Sequence, residues 1–246
     1  MKIEDRLHLV ASGRAGFCLT DDYDCHVYLL EGGDEYALID AGSGRDPAAM
    51  LARIEADGLD PRRVRHLFLT HGHADHAAGA AALRGRLGLR VYASGPVAAF
   101  VRAGDERAIS LDVARGAGMY PQDFVFAACP VDEELADGAT VRVGDLTVEA
   151  LDTPGHAAGH LTYVVRRRGR VAAFTGDALF AGGRILLQHT WDCSVQESIR
   201  SVERLATLAI DGLYPGHGVF IVRDGRREVD KALQAIARLL PPPQFS

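Results

Sequence analysis

The sequence predicts an α/β sandwich of four layers, αββα, in which two mixed sheets face each other between helical layers. Three observations point there. Strand-period and helix-period segments alternate through both halves of the chain. No linker separates those halves, and 246 residues fall within the size of one layered α/β unit. No unit of roughly 20–50 residues recurs, which excludes a solenoid or propeller. The expectation is a single domain over residues 1–246, with a helical insertion at about 95–130.

Each element has a local reason. Cys25 to Leu30 and Glu35 to Asp40 are apolar runs separated by Glu31-Gly32-Gly33-Asp34, a hairpin signal that opens the chain as a β meander. Asp46 can cap a helix that begins at Pro47 and carries Met50, Leu51 and Ile54 on one face until Gly58. Val64 to Leu69 reads as a strand, Ala77 to Leu87 as an Ala-rich helix and Leu89 to Ala93 as another strand. Pro96, Pro121 and Pro130 then interrupt short helical pieces around Phe100, Ile109, Val113 and Met119, the predicted insertion or lid.

Strand signals resume at Thr140 to Val143, Leu146 to Leu151, Leu161 to Val165 and Val171 to Thr175. Gly144-Asp145 and Arg166-Arg167-Arg168-Gly169 are the turns between them. Ser194 and Glu197 form a capping box ahead of a stripe of Val195, Ile199, Val202, Leu205 and Ala209. Leu213-Tyr214 makes a last short strand. A helix carrying Val229, Leu233, Ile236 and Leu240 is expected to end at Pro241-Pro242-Pro243.

Composition bounds the function. With 33 acidic against 27 basic side chains the chain carries a formal charge of −6, which argues against gripping a nucleic-acid backbone through bulk charge. No run reaches the roughly 18 apolar residues of a membrane helix, and Met1-Lys2-Ile3-Glu4-Asp5 lacks the apolar stretch of a signal peptide. A cytoplasmic location is expected. Cys18, Cys25, Cys129 and Cys193 contain no C-x-x-C pair and read as free thiols.

Chemistry concentrates in Thr70-His71-Gly72-His73-Ala74-Asp75-His76, three imidazoles and a carboxylate directly after an apolar strand. Imidazole and carboxylate are the ligands that borderline divalent metals take, and a loop lets alternate side chains converge where a helix would turn His73 away from His71 and Asp75. A solvated polar turn is the competing reading. Three further strand-end loops weigh against it: Thr153-Pro154-Gly155-His156, Thr175-Gly176-Asp177 and Tyr214-Pro215-Gly216-His217, in which Gly and Pro let a side chain stand clear of the sheet. Outside that set, His66 reads as packing on a buried strand and His160 as structural. His26, beside Tyr28, is a candidate to support a ligand from behind.

The His-x-His-x-Asp-His box followed by isolated His, Asp and His resembles the metallo-β-lactamase superfamily from about Cys25 to His217. The resemblance implies that His71, His73 and His156 hold one metal, that Asp75, His76 and His217 hold a second, and that Asp177 bridges them. Asp40 matches an early aspartate that supports the metal loop. His189 and Trp191 fall where such enzymes build the substrate pocket. Two divalent ions are implied, zinc first, with iron or manganese also compatible, and a bridging hydroxide attacks a carbonyl while Asp75 moves the proton to the leaving group.

The αββα sandwich of that superfamily agrees with the element order above. Several chemistries share the box, so departures discriminate among them. Secreted lactamases of the most familiar class place a cysteine where Asp177 stands and carry export signals, which counts against a β-lactam hydrolase. Thr153 to His156 and Thr175 to Phe180 resemble glyoxalase II-like thioesterases. Too little chain follows His217 for their helical glutathione-binding region, so the expected substrate is a small acyl thioester or lactone. Persulfide dioxygenases, with one iron, are the alternative from a different class. They show an Arg-Thr-Asp run where this chain has Gly183-Arg184-Ile185-Leu186.

Overall fold

A computed structural model describes residues 1–245. One sheet holds seven strands in chain order: β1 (Lys2–Glu4), β2 (Leu7–Ala11), β3 (Val27–Glu31), β4 (Tyr36–Ile39), β5 (Val64–Phe68), β6 (Arg90–Ala93) and β7 (Glu133–Glu134). It is antiparallel from β1 to β4 and parallel from β4 to β7. The second sheet runs in the order β12 (Gly212–Pro215), β11 (Arg170–Gly176), β10 (Leu161–Arg167), β9 (Leu146–Asp152), β8 (Thr140–Val143), with only the β11–β12 pair parallel. Two mixed sheets between helices is the predicted fold class.

Parallel neighbours need crossovers, and helices supply them. In α1 (Pro47–Ala56), Asp46 accepts from the Ala49 N–H and Met50 and Ile54 face inward. The helices α3 (Ala80–Leu87), α4 (Gly95–Ala103) and α5 (Leu111–Gly116) lie between β5 and β7, so the 95–130 segment holds two short helices and irregular chain. The helix α6 (Val195–Leu205) is capped by Ser194 on the Glu197 N–H, as the capping box requires. It packs with α7 (Arg226–Ile236) over the second sheet through Val202, Leu205, Val229 and Ala232.

Several boundaries differ from the sequence reading. The strands β1 and β2 precede the predicted meander, and β7 is a two-residue strand beyond the reach of any periodicity. The expected helix from Ala77 is split into α2 (Ala74–Ala77) and α3. Gly79 marks the break: its N–H donates to the Gly42 carbonyl, and a Cβ there would lie 2.0 Å from the Ala41 oxygen. Ala209 lies beyond the end of α6, and α7 stops at Ile236. Leu239 adopts a left-handed φ of 59° and Leu240 is exposed, so the apolar repeat there is not a helix face.

The sheets meet through an aromatic core of Tyr28, Phe68, Tyr92, Tyr163, Phe174 and Tyr214. Buried tyrosines need partners for their hydroxyls. Tyr163 donates to the Leu69 carbonyl at 2.8 Å and Tyr28 to the Pro215 carbonyl at 2.7 Å. Leu69 immediately precedes the histidine box and Pro215 precedes Gly216-His217, so the core that joins the sheets also fixes the edge that bears the loops. No helix among the described residues is long and apolar enough to cross a membrane.

Candidate metal centre

Four strand ends deliver the polar loops to one edge. The histidine box follows β5, His156 follows β9, Asp177 follows β11 and His217 follows β12. The box is half loop and half helix. His71-Gly72-His73 lies outside any helix or strand, and Asp75 and His76 sit on the single turn of α2, which corrects the expectation of a continuous loop. Gly155, at φ 130°, lets the His156 loop pass beneath α6, since a Cβ there would meet the Ser198 nitrogen at 2.3 Å. Gly216 is equally constrained: a Cβ would stand 2.4 Å from Asp177 Oδ1 and 2.5 Å from the His76 ring.

Two triads form, His71 with His73 and His156, and Asp75 with His76 and His217; within each, the potential ligand atoms lie within 4.8 Å of one another. His73 Nδ1 is 3.1 Å from His71 Nε2 and 2.9 Å from His156 Nε2. His76 Nε2 and His217 Nε2 are 3.3 Å apart, and Asp75 Oδ2 is 3.1 Å from His217 Nε2. Asp177 stands between the triads, with Oδ1 3.4 Å from His76 Nε2 and Oδ2 3.5 Å and 3.6 Å from the Nε2 atoms of His156 and His217.

The residues fit a divalent cation by two tests. Tetrahedral sites with Zn–N bonds of about 2.0–2.1 Å have nitrogen–nitrogen edges of about 3.3 Å, close to the separations here. Asp177 Oδ1 is buried without a hydrogen-bond partner, an orphan acceptor that a cation would satisfy.

The outward ring nitrogens fix the tautomers. His71 Nδ1 donates to Thr70 Oγ1 at 3.0 Å, His156 Nδ1 to the Leu186 carbonyl at 2.9 Å and His76 Nδ1 to Asp40 Oδ2 at 2.8 Å, so that each Nε2 is the nitrogen that faces inward. Asp40 also accepts from the Thr70 N–H at 2.7 Å and the Thr70 hydroxyl at 2.8 Å, which places it where the sequence reading put a supporting aspartate. His160, read from the sequence as structural, holds the Asp177 loop: its Nε2 accepts the Asp177 backbone N–H at 3.1 Å.

Charge separates the triads. Burial pushes His73 down to about 4 and holds His71 well below its ordinary range. Burial opposes charging of His76 and His217 too, but the carboxylates of Asp177 and Asp75, joined at His76 by Asp40, outweigh it and raise both. In the metal-free protein these two imidazolium ions contribute stability that is full below the unfolded histidine value of about 6.5 and is lost as pH rises through their raised folded values. Metal uptake at that triad would expel those protons. Titration with zinc is therefore expected to load the His71–His73–His156 triad at lower pH than the second. Affinity of the second site should rise about tenfold per pH unit for each proton released. Calorimetry in buffers of different ionisation enthalpy reads that release, and simultaneous, proton-neutral loading would contradict it.

A cavity of 580 Å³ opens over the triads, lined by His73, Asp75, Asp177 and His217 and by His189. Trp191, a sequence candidate for this pocket, is not in its lining. Its indole N–H donates to the Ala108 carbonyl at 3.0 Å and its ring meets Phe100, so it is drawn outward, 64% exposed, to join the 186–192 strap to the insertion. His26 lies behind His217, with ring centroids 6.5 Å apart; Nε2 donates to the Gly218 carbonyl, and burial lowers its pKa to about 4. Cys25 clusters with Asp40 and His76, but its thiol donates to the His26 carbonyl and burial pushes it up to about 12.

Sequence reasoning missed Tyr120, Arg14 and Phe245, all in the cavity wall. Tyr120 packs on Tyr23 and Phe124, and burial together with the neighbouring Asp75 carboxylate raises its phenol well above the usual value. Phe245 stacks on Phe180 at 4.2 Å and reaches the wall because the Phe245 N–H donates to the Ile185 carbonyl.

Residues 20–217 match the profile of the metallo-beta-lactamase superfamily. The chain belongs to that superfamily. Within it, the chain is 32% identical over 199 residues to a hydroxyacylglutathione hydrolase of Anaeromyxobacter dehalogenans, covering 79% of this chain and 61% of that one. It is 34% identical over 187 residues to a probable metallo-hydrolase of Burkholderia pseudomallei, covering 65% and 56%. The chain thus spans less than two thirds of the length of these relatives.

Solved members of the superfamily share the fold. BJP-1, a subclass B3 metallo-beta-lactamase of Bradyrhizobium japonicum, superposes with a TM-score of 0.69 at 19% identity, covering 90% of this chain and 88% of that one. A metallo-beta-lactamase from Cronobacter sakazakii gives 0.70 at 24%, covering 88% and 91%.

Proposed function

We propose that this chain is a dinuclear metal-dependent hydrolase that attacks the carbonyl of a small acyl compound, a thioester first and a lactone second. The observation that carries the reading is the pair of ligand triads, joined by Asp177, at the floor of a 580 Å³ cavity. His71, His73 and His156 would hold one ion, Asp75, His76 and His217 the other, with Asp177 between them; zinc is the first candidate, iron and manganese the others. Such a pair supplies a Lewis acid for the carbonyl and a water ionised near neutral pH, so no side-chain nucleophile is needed.

The chain's own groups account for the remaining steps. Asp75 faces the cavity with Oδ2 engaged by His217, and the His76 and His217 imidazoles hold its carboxyl well below the usual range despite burial. After attack it would take the proton the hydroxide still carries and deliver it to the leaving sulfur or oxygen. Tyr120 packs against Asp75 from the insertion, and the buried Ile109 and Leu111 line the cavity with it. Thioesters lead because of the 32% identity to a protein named hydroxyacylglutathione hydrolase.

Metal analysis of protein purified without chelators, paired with thioester and lactone panels, tests the reading. About two Zn, Mn or Fe per chain with turnover supports it. A single iron per chain, oxygen uptake on a persulfide and no hydrolysis would replace it by the dioxygenase alternative. Tyr120→Phe is expected to lower kcat/KM by about tenfold while metal content stays constant, the size of the interaction between its hydroxyl and the neighbouring Asp75 carboxylate. Unchanged kinetics would remove Tyr120 from the site.

A further inference from the structure

The cavity wall has a chemical character that the metal ligands do not dictate. Its insertion side is Ile109, Leu111, Val113, Ala114, Ala117 and Met119, and Leu186 and Phe245 stand in the facing wall. Ile109 and Leu111 are buried, whereas Val113 and Met119 are 55% and 51% exposed. An apolar surface therefore runs continuously from the metal cluster to solvent along α5. Exposed large apolar side chains at a cavity mouth cost solubility, and a ligand that covers them removes that cost.

Charge argues the same way. Arg14 is the one arginine or lysine in the lining, and its guanidinium lies over the Tyr23 ring at 5.1 Å. Four carboxylates, Asp22, Asp24, Asp75 and Asp177, face the same space. Apart from Asp75 and Asp177, whose charge two bound dications would offset, Asp22 and Asp24 outnumber Arg14, so a multiply anionic tail set away from the cluster would meet one cation against two carboxylates. The polar remainder, including Ser110, Gln188 and Thr190, is uncharged.

We infer that the compound taken by this site carries an uncharged apolar chain, seated along Leu111, Val113 and Met119 and leaving the cavity between them. The inference rests on the hydrolase reading only in assigning the carbonyl end of that chain to the metal cluster.

The test uses zinc-supplemented protein and straight-chain carboxylates from acetate to decanoate, titrated calorimetrically, with acyl thioesters of the same lengths assayed for turnover. Binding is expected to tighten about threefold to fourfold per added methylene over the length of the wall, the increment for burying one CH₂. Val113→Asp and Met119→Gln should weaken the longest members by about tenfold, the effect of a polar group set against a buried apolar chain, and leave acetate unchanged. Val125→Ser, more exposed still but outside the lining, should leave the whole series as it was.

Affinity that does not change with length, or tighter binding of glutathione than of decanoate, overturns the inference. Length-dependent binding without turnover of any acyl compound upholds it while refuting the hydrolase reading. Turnover whose kcat/KM is flat with chain length does the reverse.

Discussion

Asp177→Ala is expected to lose both ions of the proposed dinuclear centre and, with them, at least about a thousandfold in kcat/KM, the several kcal/mol that metal polarisation and water ionisation would supply. The size follows from position. Each Asp177 oxygen faces a different set of imidazoles, Oδ1 towards His76 and Oδ2 towards His156 and His217, so one substitution removes a donor from both triads at once. Five imidazoles would then surround two dications with Asp75 as the one remaining carboxylate ligand. His73→Ala should be milder at the second triad, because His73 Nδ1 contacts only His71 and His156. Elemental analysis separates the cases: Asp177→Ala is expected to fall below one ion per chain, and His73→Ala to retain up to one. Full metal content in Asp177→Ala would refute the bridging role, and full turnover in His73→Ala would refute its role as a ligand.

Much of this centre was legible because its side chains are chemically unusual and its spacing is short. His71, His73, Asp75 and His76 lie within six residues, and His156, Asp177 and His217 each follow a strand and a Gly or Pro that frees the loop. The layers were legible for a related reason: buried β3, β4, β5 and β10 read as apolar runs, and the α6 cap is written in Ser194 and Glu197. What was not legible depends on contacts between distant residues. Tyr120 is one tyrosine in an irregular segment until the insertion folds it over Asp75. Trp191 looks like a pocket residue until the Ala108 carbonyl, 83 positions away, draws its indole N–H outward. Gly79 splits a plausible helix because the Asp40–Gly42 turn passes too close for any side chain, and no local propensity encodes that approach.

Asp40→Ala is expected to cost as much as a ligand does, although Asp40 touches no cation in the proposed arrangement. Asp40 is 1% exposed and adopts a left-handed φ of 64°, a conformation that aspartate tolerates better than alanine. Its carboxylate joins β4 to the box through the Thr70 N–H and hydroxyl, and to α2 through His76 Nδ1. Alanine would leave three buried donors without an acceptor and the His76 ring free to turn. Breaking a buried pair of this kind costs about 3–5 kcal/mol, which for a chain of this size lowers Tm by roughly 6–20 °C.

Asp40→Asn separates stability from function. Its amide oxygen can still accept from Thr70, but its NH₂ would face the His76 Nδ1–H and favour the tautomer that protonates Nε2. The asparagine variant is therefore expected to keep most of its Tm yet bind the second ion about 10–100-fold more weakly, as altered partners of metal-bound histidines do. The first ion should bind nearly as before, because His71, His73 and His156 make no hydrogen bond to Asp40. Equal losses at both ions would instead mean that Asp40 acts by holding the whole edge together and not by orienting His76.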